Sequence, residues 1–282
     1  LSLTITTHVY AQGLPTTDVW LAEIVNELPG RPVRISDGDG YNNQPHFSTG
    51  GEVVYYTREM PGGDGSQTDV AAYNLQTLTT TMLTDTAESE YSPTPVPNRN
   101  AVSVIQADLD QKQLLWAIDV SNGEMDLLFP DMEPVGYHAW FSDDEVAMFI
   151  LGDSFTLQTA RLNHAGARVV ADNIGRSIRK HPETGEVLFV DKNHEPWEVA
   201  AFDPATGTTR RVMSLFPGSE DFTIDSAGDY WTGNGSRLYM RSEDDDRWGL
   251  MADVSAFGIN NISRLAVHHK TGKIALVGES TD

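Results

Sequence analysis

The sequence predicts an all-β protein, a six-bladed β-propeller, on three observations: a hairpin that recurs six times, four strands in each recurring unit, and two chain ends that complete one another. Internal repetition at roughly 20–50 residues marks a solenoid or a propeller. The second strands of the hairpins begin at Val53, Ala101, Val146, Val187, Tyr230 and Ile274, spaced by 48, 45, 41, 43 and 44 residues. Each opens a β-favouring run (VVYYT, AVSVI, VAMFI, VLFV, YWTG, IALV) just after a turn signal (STGG, PNRN, SDDE, PETG, DSAG, HKTG).

Two further strands follow each of the first five hairpins. The third strands read DVAAY from Asp69, LLWAI from Leu114, LQTARL from Leu157, EVAAF from Glu198 and RLYM from Arg237; the fourth include LTTTML, EMDLLF, ARVVA, TRRVM and RWGLM. Turns such as Ser121-Asn122-Gly123 and Ala205-Thr206-Gly207 put glycine where a positive φ is needed. Four antiparallel strands per unit of about 40–45 residues make a propeller blade, whereas a β-sandwich has no reason for such even units. The last hairpin, LAV from Leu265 and IALV from Ile274, has no third or fourth strand, and the first segments, TDVWLAEI from Thr17 and PVRI from Pro32, have no hairpin before them. Residues 17–35 and 262–278 are therefore expected to form one composite blade, which removes the exposed edges of an open sheet. The Pro-rich stretch at 92–98 falls inside a repeat, so residues 13–282 read as a single domain without a linker.

Composition narrows the partners. Lys and Arg number 19 against 41 Asp and Glu, a formal charge of -22. A field of that sign repels phosphate backbones and anionic membrane surfaces, so nucleic acid is not an expected partner. The acidic run Glu243–Asp246 lies in an expected turn and reads as a solvated loop. The chain has no cysteine, so neither disulfides nor thiol chemistry enter. The apolar start, LSLTITTHVYAQG, carries Val9 and Ala11 at the −3 and −1 positions of a cut before Gln12, and residues 1–12 read as the tail of a signal peptide or as a leader. No apolar run approaches the roughly 20 residues that span a bilayer. Nothing in the sequence speaks to oligomeric state.

In a propeller the first strand of each blade lines the central channel, and the loops leading into those strands gather at one mouth. These loops read YNNQP from Tyr41, ESEYSP from Glu88, VGYHAW from Val135, NIGRS from Asn173, GSEDF from Gly218 and NNISR from Asn260. The expected ring is thus Tyr41, Asn42, Asn43, Gln44, Glu88, Glu90, Tyr91, Tyr137, His138, Arg176, Glu220, Asp221, Asn261 and Arg264. Acids, bases, amides and phenols converge there as a polar ligand pocket requires. They also suit a second role, cross-linking blades, with Arg176 and Arg264 pairing to Glu90, Glu220 or Asp221.

Three functional readings follow. A binding module would grip a carboxylate through its arginines and orient it with Tyr and Asn, holding a small polar ligand or a peptide. A metal-assisted enzyme would hold Ca²⁺ through oxygens of Asn43, Glu90, Asp221 and Asn261, or a softer metal through Gln44, His46 and His138. A lyase would use Tyr or His as base and Arg to neutralise charge. Other signals carry less. Asp37-Gly38-Asp39-Gly40 opens like a Ca²⁺ loop, but the twelfth position is Ser48 where Glu is required. The turn at Gly62–Gly65 lacks the strand-to-helix context of a phosphate loop, and no G-x-S-x-G elbow exists. His268 and His269 precede a turn and read as surface residues, and the six Trp read as blade packing.

The segment QPHFSTGGEVVYYT resembles the repeat of TolB-like propellers, N-x-x-P-x-[WF]-S-P-D-G before a β run: Asn42, Pro45, Phe47, Ser48 and Gly51 match, while Thr49 and Gly50 replace Pro and Asp. SDDE and PETG are looser copies, and the ordered loops resemble those of stand-alone exported TolB-like proteins of bacteria from about Thr17 onward. That resemblance implies a six-bladed fold and a periplasmic or secreted protein lacking the N-terminal domain of TolB; it implies no activity. The expected function is a non-catalytic binding or interaction module, with a metal-assisted hydrolase or polysaccharide lyase as the alternative.

Overall fold

Successive side chains of a strand face opposite sides, so one strand can serve two hydrophobic seams. Val53–Glu59 does this: Val54 and Tyr56 pack on one side, Tyr55 on the other. A computed structural model, which describes residues 14–60, 67–268 and 270–280, shows six small antiparallel sheets in a ring, a six-bladed β-propeller. The expected leader at 1–12, the expected turn at Gly62–Gly65 and His269 lie outside the described residues.

The first blade, inside to outside, is Asn42–Phe47, Val53–Glu59, Thr68–Asn74 and Thr79–Met82. The second is Ser89–Pro95, Ala101–Ala107, Gln113–Asp119 and Met125–Leu127. The third is Val135–Trp140, Glu145–Ile150, Thr156–Arg161 and Arg168–Ala171. The fourth is Ile174–Lys180, Val187–Asp191, Glu198–Asp203 and Thr208–Ser214. The fifth has an inner strand of two residues, Thr223–Ile224, before Tyr230–Asn234, Arg237–Arg241 and Gly249–Asp253. The second, third and fourth strands of the first five blades fall where the periodicity predicts them, to within a few residues.

The sixth blade is composite, as expected from the chain ends. Ile259–His268 and Lys273–Ser280 supply its inner half and Asp18–Val25 its third strand, paired in the register Val19↔Val277, Trp20↔Leu276 and Ala22↔Ile274. Its outer strand is split into Leu28–Pro29 and Val33–Arg34, shorter than the expected PVRI strand. Asn26 and Glu27 both take positive φ (51° and 64°), which turns the chain back against Asp18–Val25 at once. Asp18 clasps the closure: its carboxylate accepts from Ser36 Oγ at 2.8 Å, from Arg34 at 2.8 Å, and from the Ser280 hydroxyl.

Six apolar clusters fill the six seams between neighbouring blades. In the seam between the fifth and sixth blades, Trp231 and Leu238 meet Ile259, Ile274 and Leu276, all fully buried. Each such side chain contributes about 1.5–3 kcal/mol.

Five of the six inner strands carry a register shift at the same depth: between Asn43 and His46, Tyr91 and Thr94, Val135 and Tyr137, Ile174 and Ile178, and Asn260 and Arg264. In three of them a non-glycine residue adopts positive φ, Gln44 at 54°, Ser92 at 55° and Asn261 at 48°. A bulge bends its strand and re-aims the side chains beside it. Here the bulges ring the channel.

Candidate functional site

The bulged stretches enclose a cavity of about 40 Å³ within the channel, lined from all six blades by residues including Gln44, Ser92, Tyr137, His138, Arg176 and Arg264. Arg179 and Asp221 complete its charged wall. That volume holds roughly three water molecules or the head group of a small ligand.

Three guanidiniums meet here in a protein of charge -22. Arg264 is 8% exposed; its Nη2 donates to Tyr137 Oη at 3.0 Å, and the guanidinium carbon lies 5.4 Å from the centre of the Tyr137 ring. Burial opposes its charge, but Tyr137, Asp221 and Tyr41 more than offset this and raise its pKa. Arg179 Nη2 donates to Leu265 O at 3.1 Å and lies 3.5 Å from Asp221 Oδ1. The other Asp221 oxygen accepts from Leu265 N at 2.7 Å. Arg176 lies 3.7 Å from Glu220, whose Oε1 also meets Lys192 Nζ at 2.7 Å and accepts from Arg176 N at 3.0 Å. Burial would raise the Glu220 pKa, yet Lys192 and Arg176 hold it below the usual carboxylate range.

His138 is 6% exposed, and its tautomer follows from its neighbours. Ser103 Oγ sits 3.0 Å from Thr94 O, which can only accept, and 2.9 Å from Trp140 Nε1, which can only donate. Its single hydrogen therefore goes to Thr94 O, and His138 Nε2, 2.7 Å away, must donate to it. This leaves His138 Nδ1 as a bare lone pair, buried and without a partner in the protein. Burial, with a contribution from His46, lowers the imidazole pKa to about 3, so the ring is neutral. Ser92 Oγ and Arg176 Nε are likewise buried and without a hydrogen-bond partner, and both residues line the same cavity.

The other ring candidates lie outside this cavity. Tyr41 is buried beside the mouth; burial, then Tyr137, push its phenol well above the ordinary range, opposed by Arg264 and Arg176. Asn42 and Asn43 turn to the N-terminal segment, donating to Thr17 O at 3.2 Å and Thr17 Oγ1 at 3.3 Å. Glu90 faces the seam with the first blade, where it accepts from Thr86 Oγ1 at 2.7 Å and Gln106 Nε2 at 3.0 Å. Tyr91 packs against the seam between the second and third blades. Glu88 is partly exposed; its backbone carbonyl accepts from Gln67 Nε2 at 3.0 Å. Asn261 donates to Glu279 Oε2 at 2.9 Å and joins Arg176, Glu220 and Asp221 around a wider cleft of about 580 Å³ between the fourth, fifth and sixth blades.

Asn43, Glu90, Asp221 and Asn261 each serve a different set of partners, and no group of three or more His, Asp or Glu suited to a metal forms among the described residues. Gln44, His46 and His138 do share one cavity. Gln44 Oε1, however, already accepts from Thr57 Oγ1 and Ser92 N, both at 2.9 Å, which occupies its two lone pairs.

Arg179 and the pair Ser92 and Ser103 were missed by reading loops alone. They sit within strands, where simple alternation does not show which side chains face the channel once a bulge has shifted the phase. His268, expected at the surface, is instead 8% exposed, with Nδ1 2.9 Å from Thr271 Oγ1 and Nε2 3.4 Å from Thr49 O. The last inner strand runs one residue further into the channel wall than the turn signal suggests, and Phe47 covers the imidazole at 5.6 Å.

No protein-family model and no curated protein sequence matches the chain. Among solved structures, a protein of Agrobacterium tumefaciens described as TolB superposes with a TM-score of 0.74 at 9% identity, over 95% of this chain and 99% of that one. The fold is that of a TolB-like β-propeller. TolB of Acinetobacter baumannii gives 0.62 at 12% identity over 95% of this chain, which spans 64% of the Acinetobacter protein. The TolB-like ring is shared with an enzyme as well: an oligogalacturonate lyase of Vibrio parahaemolyticus gives 0.57 at 13% identity, over 88% of this chain and 80% of that one. What this TolB-like propeller has in common with them is its architecture, and its function has to be argued from the site. No helix among the described residues is long and apolar enough to cross a membrane.

Proposed function

We propose that the protein is a periplasmic or secreted binding module, a single propeller domain whose arginine-lined channel holds a small polar ligand or a peptide through a carboxylate. One observation carries this: three buried polar atoms without a hydrogen-bond partner, His138 Nδ1, Ser92 Oγ and Arg176 Nε (the last 3.7 Å from Glu220), belong to residues lining the cavity where the guanidiniums of Arg176, Arg179 and Arg264 meet. A buried polar group left unpaired costs about 1–3 kcal/mol. A ligand with a carboxylate and a neighbouring O–H or N–H would satisfy all three, its carboxylate accepting from the arginines and its donor meeting His138 Nδ1. Export rests on the likeness to TolB, not on the channel.

The alternative, a metal-assisted hydrolase or a lyase, draws support from the lyase neighbour and from the placing of an imidazole beside arginines. Its chemistry fits less well. A base whose conjugate acid has a pKa of about 3 accepts a proton poorly near neutrality, and the Tyr41 phenol is harder to ionise than an ordinary tyrosine. For a metal, no group of three or more His, Asp or Glu suited to one forms among the described residues, and Gln44 Oε1 already accepts two hydrogen bonds.

Calorimetric titration with small hydroxycarboxylates, and with short peptides carrying free or amidated C-termini, tests the binding reading. A carboxylate-bearing compound should bind, and Arg264→Ala should weaken it at least tenfold while the chain remains folded. Equal affinity for the amidated peptide, or for the variant, would overturn the proposal. A ring that only cross-links blades predicts a lower Tm in Arg264→Ala with no ligand affinity to lose.

A further inference from the structure

The channel has a second end, where the inner strands run into their hairpin turns. A cavity of about 380 Å³ opens there, against about 40 Å³ for the arginine cavity, and all six blades contribute to its wall. Its volume falls in the range of small-molecule sites. Phe47, Trp140 and Ile224 give it an apolar body, while Arg179, Lys180 and Lys270 stand around it.

The charge around it opposes the charge of the molecule. Acidic residues make up 41 of 282, yet none of the described residues lining this cavity is Asp or Glu. The chain has five lysines, and three of them, Lys112, Lys192 and Lys273, are held in ion pairs with Glu133, Glu220 and Glu23. The other two, Lys180 and Lys270, are exposed, form no ion pair among the described residues, and both line this cavity. Arg179 is partly neutralised by Asp221 at 3.5 Å, so the two lysines supply most of the uncompensated charge. The imidazole of His268 forms part of the wall, its nitrogens 2.9 Å from Thr271 Oγ1 and 3.4 Å from Thr49 O.

Two ammonium groups over an apolar body fit one class of ligand. We propose that this end of the channel is a second binding site, for a small organic anion with an apolar body, its carboxylate, sulfonate or phosphate held by Lys180 and Lys270 and its body against Trp140 and Phe47. A large polyanion is disfavoured, because the surface beyond the cavity carries the net negative field of the molecule.

The probe is 8-anilinonaphthalene-1-sulfonate, an aromatic sulfonate, titrated into the full chain by fluorescence and calorimetry, with the uncharged N-phenyl-1-naphthylamine as its control. The sulfonate should bind at one site per chain, more tightly than the neutral amine, and more weakly as salt rises. The double variant Lys180→Glu/Lys270→Glu, shown to be folded by circular dichroism, should lose at least tenfold in sulfonate affinity and leave the amine unchanged. Arg264→Ala should leave the sulfonate affinity within twofold, which separates this site from the arginine cavity. Wild-type affinity in the double variant, equal binding of the uncharged amine, binding at several weak sites, or loss of binding in Arg264→Ala would each overturn the proposal.

Discussion

Glu90 shows how one buried side chain can make the whole protein sensitive to pH. It is fully buried, its Oε2 has no partner among donors, and it lies against the buried carboxyl of Asp69. Burial raises its pKa from 4.5 to about 7, with Asp69 contributing and hydrogen bonds from Gln106 and Thr86 opposing. Between the unfolded and folded values the folded chain binds the extra proton, so this group's stabilisation is complete below about pH 4.5 and is lost as pH rises to about 7. Glu90→Gln keeps the oxygen acceptor and presents a permanent donor to Asp69. Urea denaturation at pH 5 and pH 8 should therefore show a smaller fall in stability for the variant than for the wild type; an equal fall would refute the shared-proton account. His138 teaches a related lesson: its residue type was legible as a ring candidate, but its bare lone pair depends on Ser103, Thr94 and Trp140, which only packing brings to it.

Strands meet most tightly where the fifth blade faces the sixth. Gly233 lies in Tyr230–Asn234, and a Cβ added there would stand 2.3 Å from Ile262 Cγ2. Overpacking of this kind typically costs about 1–3 kcal/mol. Gly233→Ala should lower stability by that order, and adding Ile262→Ala should recover part of it by removing Cγ2, while Ile262 Cβ, 2.7 Å away, stays. Chemical denaturation of the two single variants and the double variant measures the coupling; strictly additive losses would count against the contact. The same two strands border the wide cleft beside Glu220 and Asn261, so this close approach also shapes the surface around the channel mouth. The inner-strand bulges are the other feature at this level. Sequence periodicity located the strands but not the bulges, since an extra residue in one strand is defined only by the register of its partner.

Closure makes the six blades one object. Leu276 is fully buried in the seam between the fifth and sixth blades and pairs in register with Trp20 of the N-terminal strand. Leu276→Ala should cost about 2–5 kcal/mol. Because the seam joins both ends of the chain to the ring, far- and near-ultraviolet circular dichroism should report the same lowered midpoint. Two separated transitions would show that the composite blade unfolds on its own. At this level the distribution of charge also becomes meaningful: a net charge of -22 forms the background, and the cationic groups stand out at the two ends of the channel.

The repeat, the blade count and the joining of the two ends were all readable from the chain, because hydrophobic alternation and turn residues are local and recur six times. Six of the fourteen ring candidates, Gln44, Tyr137, His138, Arg176, Asp221 and Arg264, line the arginine cavity. The others turn to seams, to the closing strand or to the neighbouring cleft. Which residues face the channel was decided by bulge phase and inter-blade packing, quantities that exist only once strands from distant parts of the chain are in register. The second mouth follows the same rule. Lys180 and Lys270 are 90 residues apart and unremarked in the sequence, and they become one site only because the fourth and sixth blades end at the same rim.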